Sequence, residues 1–274
     1  MINELKKNEF HRIRGLLRQE ADNVEVKAII DGINPGWVFV DDPIKPSIAM
    51  VWSAGQEGFY FVGDTQAQAF LQDLNAYIDQ NLRDRALGQG LNRFEFSGDT
   101  KGWDSVFHDL FDHRGLTVSD QFIYKLKADQ WKTYLKRVNT SPYRVVAIDR
   151  DLLSRKDLVN KAFLTQEILR WWSSIDDFLD KSHGYCMLDG HTVTNYSMGN
   201  FYVDQVMTIG IETLEAYRRQ GLSQVTSELF VDRCLQEGMT VQWECMGENI
   251  ASYRLAEKMG FVRTMTYTLY SFPF

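Results

Sequence analysis

Residues 208–223 read Thr-Ile-Gly-Ile-Glu-Thr-Leu-Glu-Ala-Tyr-Arg-Arg-Gln-Gly-Leu-Ser, and this stretch decides the fold of the chain. A strand pattern leads into a turn at Gly221, and a helical pattern follows directly. Glycine lets successive backbone N–H groups point into one concavity, to which the helix N-terminus adds partial positive charge. The stretch therefore predicts either a pyrophosphate site or a plain turn with an exposed pair, Arg218 and Arg219.

A second informative stretch, residues 244–261, reads Glu-Cys-Met-Gly-Glu-Asn-Ile-Ala-Ser-Tyr-Arg-Leu-Ala-Glu-Lys-Met-Gly-Phe. Asn249 is a natural N-cap, and Gly260 ends the helix that follows it. Ala251, Leu255 and Met259 are spaced one turn apart, on a single face. A strand, a helix and a further strand are therefore predicted here.

The whole C-terminal half alternates strands with helices, the order of an α/β fold. Strands are predicted at 143–148, 183–188, 193–203, 206–213, 240–245 and 261–272. A helix carrying Trp171 and Trp172 is predicted at 163–179, another after Gly221 with Gly238 at its end, and a third after Asn249. Turns are predicted at Asp189-Gly190 and at Gly199-Asn200.

The first half repeats this order of elements with little residue identity. The prediction is a hairpin of strands 47–53 and 59–62, a helix at 66–84, a strand at 93–97, a helix at 103–111 and a strand at 116–127. No Arg-x-x-Gly-x-Gly loop lies between Val62 and Gln66, so we expect this copy to have lost its anion site. The predicted domains are 1–138 and 139–274, joined by a linker near 130–142.

Composition restricts the function. The net charge of -7 and the pI near 5.3 disfavour a nucleic-acid partner. Cys186, Cys234 and Cys245 form no metal-spaced or disulfide framework and are expected to be reduced core thiols, with no metal site. No apolar run suggests a signal peptide or a membrane span, so a soluble cytoplasmic protein is expected.

The two stretches resemble motifs A and B of the GCN5-related N-acetyltransferases. Arg218-Arg219-Gln220-Gly221-Leu222-Ser223 is similar to Gln/Arg-x-x-Gly-x-Gly/Ala, with Ser223 at the last small position. In the second motif Asn249, Leu255, Gly260 and Phe261 match, and Ser252 replaces Ala. At whole-chain level the layout resembles the bacterial subfamily that includes the zwittermicin A resistance proteins.

The resemblance implies a mixed-sheet α/β acetyltransferase fold in the C-terminal half, preceded by a degenerate copy of the same fold. It also implies acetyl-CoA as co-substrate, without a metal. The residues it assigns to acetyl-CoA binding are Ile211, Glu212, Thr213, Arg218, Arg219, Gln220, Gly221, Leu222, Ser223, Asn249 and Ser252.

A primary amine is mostly protonated at neutral pH, so acyl transfer to it needs a base. Glu244 is the first candidate and Glu212 the second, although each could equally be a solvent-facing carboxylate. The tyrosine acid common in the family is replaced by Ala256, and Tyr253 is expected on another helix face. Coenzyme A thiolate, with a pKa of about 8.5 like cysteine, can leave without an acid.

The leading interpretation is transfer of an acetyl group from acetyl-CoA to an amine of a small molecule or a peptide. One alternative is a transferase of related tandem fold that takes its acyl group from a charged tRNA, which the acidic balance disfavours. Another is a non-catalytic acyl-CoA sensor. Trp171 and Trp172 could line an apolar acceptor pocket or simply pack in the core. The sequence leaves both a monomer and a homodimer open.

Overall fold

The structure is a computed structural model that describes residues 1–17, 23–126, 131, 140 and 142–274. Its strands are β1 Asn3–Glu4, β2 Gly36–Val40, β3 Ile48–Ser53, β4 Gly58–Gly63, β5 Arg93–Gly98, β6 Thr117–Leu126, β7 Arg144–Ala147, β8 Gly184–Asp189, β9 Thr192–Val203, β10 Val206–Thr213, β11 Thr240–Met246 and β12 Phe261–Pro273. Its α-helices are α1 Val24–Ile30, α2 Gln68–Tyr77, α3 Arg83–Leu87, α4 Gly102–Phe111, α5 Arg150–Ser154, α6 Ala162–Trp171, α7 Ile175–Lys181, α8 Leu222–Gln236 and α9 Ile250–Lys258.

The elements predicted around the two informative stretches are confirmed. Strand β10 has the predicted bounds, and α8 begins directly after Gly221. Asn249 caps α9, since its side chain accepts the Ser252 N–H, and Gly260 follows the helix with a φ of 86°. No element was predicted before residue 47, where β2, α1 and a 3₁₀ helix at Lys7–Leu16 lie. Helix α1 is rich in β-branched residues, which favour strands, so the sequence pattern does not predict a helix there.

Three details of the prediction are wrong. Gly199-Asn200 is no turn, because both residues lie inside β9. The predicted helix 163–179 is two helices, and Trp172 lies after α6 in extended backbone, where its indole N–H donates to the Gly199 carbonyl at 3.0 Å. The predicted helix 66–84 is divided by a π-helical turn, Ile78–Leu82.

The described chain divides into two compact units, residues 1–121 with 267–274, and residues 122–266. The division falls within β6 and β12, so the C-terminal tail belongs to the first unit. The predicted boundary at residues 138 and 139 lies outside the described residues and stays a prediction.

The first unit has strand order β1-β2-β3-β4-β5, with the end of β12 beside β5. Tyr270–Pro273 of that tail pair antiparallel with Arg93–Phe96. A large aromatic core packs against one face of the sheet, and Phe272 lies inside it, stacked on Phe94 at 5.2 Å. A smaller apolar core under α1 covers the other face.

The second unit has strand order β12-β6-β11-β10-β9-β8-β7. Neighbouring residues of β9 show which helix covers each face: the Ser197 hydroxyl bonds to Thr226 and Ser227 of α8, whereas the Tyr196 ring contacts Phe163 of α6. Because neighbouring side chains of a strand point to opposite faces, α8 and α6 cover opposite faces of this sheet. The main apolar core lies on the α8 face.

The order of elements predicted to repeat is confirmed. In each unit an antiparallel pair, β3–β4 or β9–β10, leads through a helix to a strand that runs parallel to the second member of the pair. Along the chain, a helix and a last strand then follow each of these parallel strands, α4 and β6 after β5, and α9 and β12 after β11. The shared order agrees with two copies of one architecture.

The C-terminal tail should stabilise the first unit. Phe272 is fully buried, so Phe272→Ala leaves a cavity and is expected to cost about 3–5 kcal/mol of unfolding free energy. Hydrogen exchange should then accelerate in β5. Val262→Ala, on the exposed part of the same strand, is the control; equal effects of the two variants would contradict the assignment.

Acid should weaken the second unit through His183. This ring is buried, 3.3 Å from the Phe230 carbonyl, and burial together with nearby Arg233 lowers the pKa of His183 to about 4. The unfolded chain therefore takes up a proton between about pH 6.5 and 4 that the folded chain rejects, and stability falls as pH falls. The unfolding free energy lost through His183 between pH 7 and 5 is about 2 kcal/mol.

His183→Gln should reduce by that amount the stability lost between pH 7 and 5, measured by urea unfolding. The exposed His11→Asn is the control. An unchanged pH dependence in His183→Gln would refute the role of this ring.

Candidate functional site

Strands β10 and β11 part in the middle of the second unit. Their parallel pairing runs from Val206↔Thr240 to Ile209↔Trp243, and beyond that point β10 continues to Thr213 and β11 to Met246. On its other edge β10 stays paired with β9 as far as Thr213↔Asn195. The edge of Gly210–Thr213 that faces β11 can therefore pair with a bound extended molecule.

The parted end of β10 leads directly into the glycine loop. Arg219 and Gly221 both have left-handed backbone, with φ of 64° and 79°, and α8 starts after Gly221. No side chain caps α8, so the N–H groups of its first turn have no partner within the helix. A Cβ added at Gly221 would meet nothing within 4 Å. The loop is thus open in front of the helix N-terminus, as a pyrophosphate site requires.

Two tyrosines hold the loop in place. The Tyr143 hydroxyl donates to Gln220 Oε1 at 2.7 Å, and the Tyr217 hydroxyl donates to Asp189 Oδ2 at 3.0 Å. Leu222 packs beneath the loop with Met187 and Val225. The loop conformation is therefore set by the protein itself.

Ser223 explains the departure from the small-residue pattern. Its hydroxyl bonds to the Thr213 hydroxyl at 2.6 Å, which ties the end of β10 to the first turn of α8. Arg218 turns back toward the same strand, donating to the Thr213 carbonyl at 3.1 Å and to Glu212 Oε1 at 3.2 Å. Arg219 is exposed. Both arginines of the predicted pair are exposed, and Arg218 also bonds to the end of β10.

The second motif forms one wall of the parted strands. Asn249 caps α9, and Ser252 Oγ accepts the indole N–H of Trp243 at 2.9 Å, which fixes α9 against β11. Ser252 thus holds the wall together. Ala256 is fully buried in the apolar core, so the usual tyrosine position faces the interior here.

The two candidate bases differ in surroundings. Glu244 lies just past the last β10–β11 pair; it is half-buried, with its Oε2 atom inaccessible to solvent. Glu212 lies on the parted end of β10, and its exposed carboxylate accepts from Arg218 and from the Thr213 N–H. Glu212 is therefore engaged in holding the loop, whereas Glu244 sits where the strands open.

Sequence reasoning missed the polar side chains of the α6 face. Val241, Trp243 and Cys245 of β11 belong to the core on the α8 face, so Gln242 and Glu244 face the α6 side. The alternation along residues 241–245 could have placed Gln242 beside Glu244. Asn200, next to β10 on the same face, could not be placed, because a register shift in β9 moves it there.

Thiol and metal chemistry find no support in the described residues. Burial raises the pKa of Cys186 and Cys234 to about 12 and also raises that of Cys245. These thiols are core residues, as predicted. Within the described ranges no three His, Cys, Asp or Glu side chains come together as a metal site, and no helix is both long and apolar enough to cross a bilayer.

The first unit lacks the same opening. There β4 and β5 are paired through Phe61↔Gly98, and the Asp99 N–H continues the pairing to the Phe61 carbonyl at 2.9 Å. Trp103 packs so tightly on Gly98 that an added Cβ would lie 2.4 Å from it. Where the second unit has its loop, the carboxylate of Asp64 accepts the Gln66 N–H. A negative group thus replaces an open anion site.

Known proteins are similar to this chain over its whole length. An uncharacterised N-acetyltransferase of Bacillus subtilis, YdfB, is 26% identical over 98% of both chains. The fold is that of a GCN5-related N-acetyltransferase-like protein from Streptococcus suis, at a TM-score of 0.67 with 19% identity over 97% and 98% of the two chains. A tandem GNAT protein from the clavulanic acid biosynthesis pathway has a TM-score of 0.60 with 8% identity, covering 100% and 98%.

The tandem neighbour agrees with the two-unit layout described above. The family model for GNAT acetyltransferases matches residues 14–270, nearly the entire chain. The chain belongs to the GNAT acetyltransferase family.

Proposed function

We propose that this protein transfers the acetyl group of acetyl-CoA to an amine of a small molecule or a peptide. The observation that carries the proposal is the continuity of two features: the edge of β10 opened by its parting from β11, and the uncapped α8 N-terminus that follows. An extended pantetheine arm needs the first and a pyrophosphate needs the second.

The residues proposed to hold acetyl-CoA follow from their positions. The backbone of Ile211–Thr213 pairs with the pantetheine arm, and the backbone N–H groups of residues 219–224 bind the pyrophosphate. Arg219 adds positive charge at the rim of the loop. Asn249 and Ser252 contribute by keeping α9 against the parted end of β11.

Acetyl-CoA supplies the acetyl group as a thioester. In the proposed reaction the acceptor nitrogen forms a C–N bond with the acetyl carbon, the C–S bond breaks and the sulfur leaves with its electron pair. Glu244 takes the proton from the amine, because it lies just past the last β10–β11 pair, beside the opening. A thiolate with a pKa of about 8.5 is a good leaving group near neutral pH. The buried Ala256 is therefore compatible with activity.

The two alternative functions, a tRNA-dependent transferase and a non-catalytic sensor, are less well supported. A transferase that uses charged tRNA has no need of an open pyrophosphate loop, and the net charge of -7 repels a polyanion. A non-catalytic sensor would keep the loop but needs no carboxylate at the opening.

Coenzyme A should raise the melting temperature of the wild type, because it binds only the folded state. Gly221→Asp places a carboxylate in front of the α8 N-terminus and should weaken binding at least tenfold. Gly221→Asn is the matched control, because Asn has the size of Asp and must adopt the same left-handed backbone at this position, but carries no charge. The absence of any coenzyme A shift in the wild type would refute the proposal, and a shift without thiol release on any amine would favour the sensor.

Loss of the proposed base should slow transfer most at low pH. Glu244→Gln is expected to lower kcat/KM by about 10² or more near pH 7, measured by thiol release. Below the amine pKa of about 10, the remaining rate should rise about tenfold per pH unit, because only amine that is already neutral can react. Glu212→Gln is the comparison and should lose less; the reverse order would make Glu212 the base.

A further inference from the structure

A buried amide of the second unit, that of Gln242, makes no hydrogen bond to the residues that the structure describes. Gln242 is 1% exposed, and among those residues neither its Oε1 nor its Nε2 has a partner. Buried side-chain amides are nearly always hydrogen-bonded, and an unbonded one destabilises the fold. A bound molecule that both donates and accepts would satisfy both ends of this amide.

Gln242 lies on the face of the sheet where Glu244 lies. Its neighbours Val241 and Trp243 are in the core on the α8 side, which leaves Gln242 on the α6 side. Its partner across the ladder is Thr208 of β10. The Thr208 hydroxyl accepts the Phe201 N–H at 3.0 Å and makes no hydrogen bond to Gln242.

A second amide, that of Asn200, lies on the same face of the sheet, on the other side of β10. The register of β9 shifts between its pairs with Met207 and Ile209, and Asn200 lies in the shifted segment. Its side chain lies across Gly210, where an added Cβ would be only 2.3 Å from Asn200 Nδ2. Gly210 is therefore needed for this arrangement. Two amides, from β9 and β11, thus lie on either side of β10, one just before and one just after the point where it parts from β11.

We propose that Gln242 recognises the acceptor, a step that rests on the proposed function. Its amide donates to and accepts from a hydroxyl or amide group of the substrate, while Glu244 takes the proton from the reacting amine. Residues two apart on a strand are separated by roughly 6.6 Å. The polar group of the substrate therefore lies about three to five bonds from the nitrogen. The acceptor class is a small aminoalcohol or amino amide, as opposed to an alkylamine or arylamine.

The test uses pairs of amines that match in size. 3-Amino-1-propanol is compared with n-butylamine, and β-alaninamide with isopentylamine. For each we would measure kcat/KM by thiol release and, with coenzyme A present, the shift in melting temperature. The wild type should prefer the polar member of each pair by at least tenfold in kcat/KM, because the hydrocarbon member of matching size leaves the Gln242 amide unbonded.

Gln242→Met keeps the length of the side chain and removes its polar atoms. It should abolish the preference within each pair while leaving the melting temperature of the free protein equal or higher, because an unbonded buried amide is removed. Thr240→Val, exposed on the same strand, is the control and should keep the preference.

Equal results within each pair for the wild type, including no response to any of the amines, overturn the inference. So does a preference that survives in Gln242→Met. Both outcomes are distinct from failure of the proposed function, which would show as no stabilisation of the wild type by coenzyme A, or as no thiol release with any amine beyond these four.

Discussion

The pairing between β10 and β11 stops at Ile209↔Trp243, and the rest of the site depends on that stop. Backbone N–H and C=O groups need hydrogen-bond partners, and a strand edge released inside a sheet must find them in another molecule or in water. The second unit keeps the opened edge rigid by pairing β10 with β9 up to Thr213. The glycine loop then begins where β10 ends. One interruption in a ladder thus produces both an extended groove and the approach to a helix N-terminus.

The two units show how little change is needed to close such a site. Both have the same order of strands and helices, but β4 and β5 remain joined through Phe61↔Gly98. Trp103 fills the space next to Gly98 and stacks on Phe107, so the first unit gives this region to its aromatic core. In the adjacent turn, the negatively charged side chain of Asp64 accepts the Gln66 N–H. The same architecture serves packing in one unit and an opening in the other.

Polar residues in the interior of the second unit divide into two kinds. Asn195 and Ser197 of β9 both bond to the Thr226 hydroxyl of α8 and so stabilise the packing of that helix. Gln242 lies two residues from Glu244, with which it shares the face turned away from α8, and its amide bonds to no residue in the described part of the chain. An unbonded amide lowers stability, and sites that bind polar substrates commonly carry such a cost. This difference separates structural polar residues from those proposed to act on a ligand.

The sequence by itself determined the elements that local chemistry controls. The glycine at 221, the N-cap at Asn249 and the stop at Gly260 each fix a backbone conformation that neighbouring residues cannot override, so β10, α8 and α9 were predicted correctly. The tertiary structure alone decided the rest. It places Phe272 in the core of the first unit. It also shows that Gly199-Asn200, predicted as a turn, lies within a strand, and that Gln242 and Asn200 lie on one face of the sheet. These features depend on strand register and on contacts between residues far apart in the chain, which no local pattern specifies.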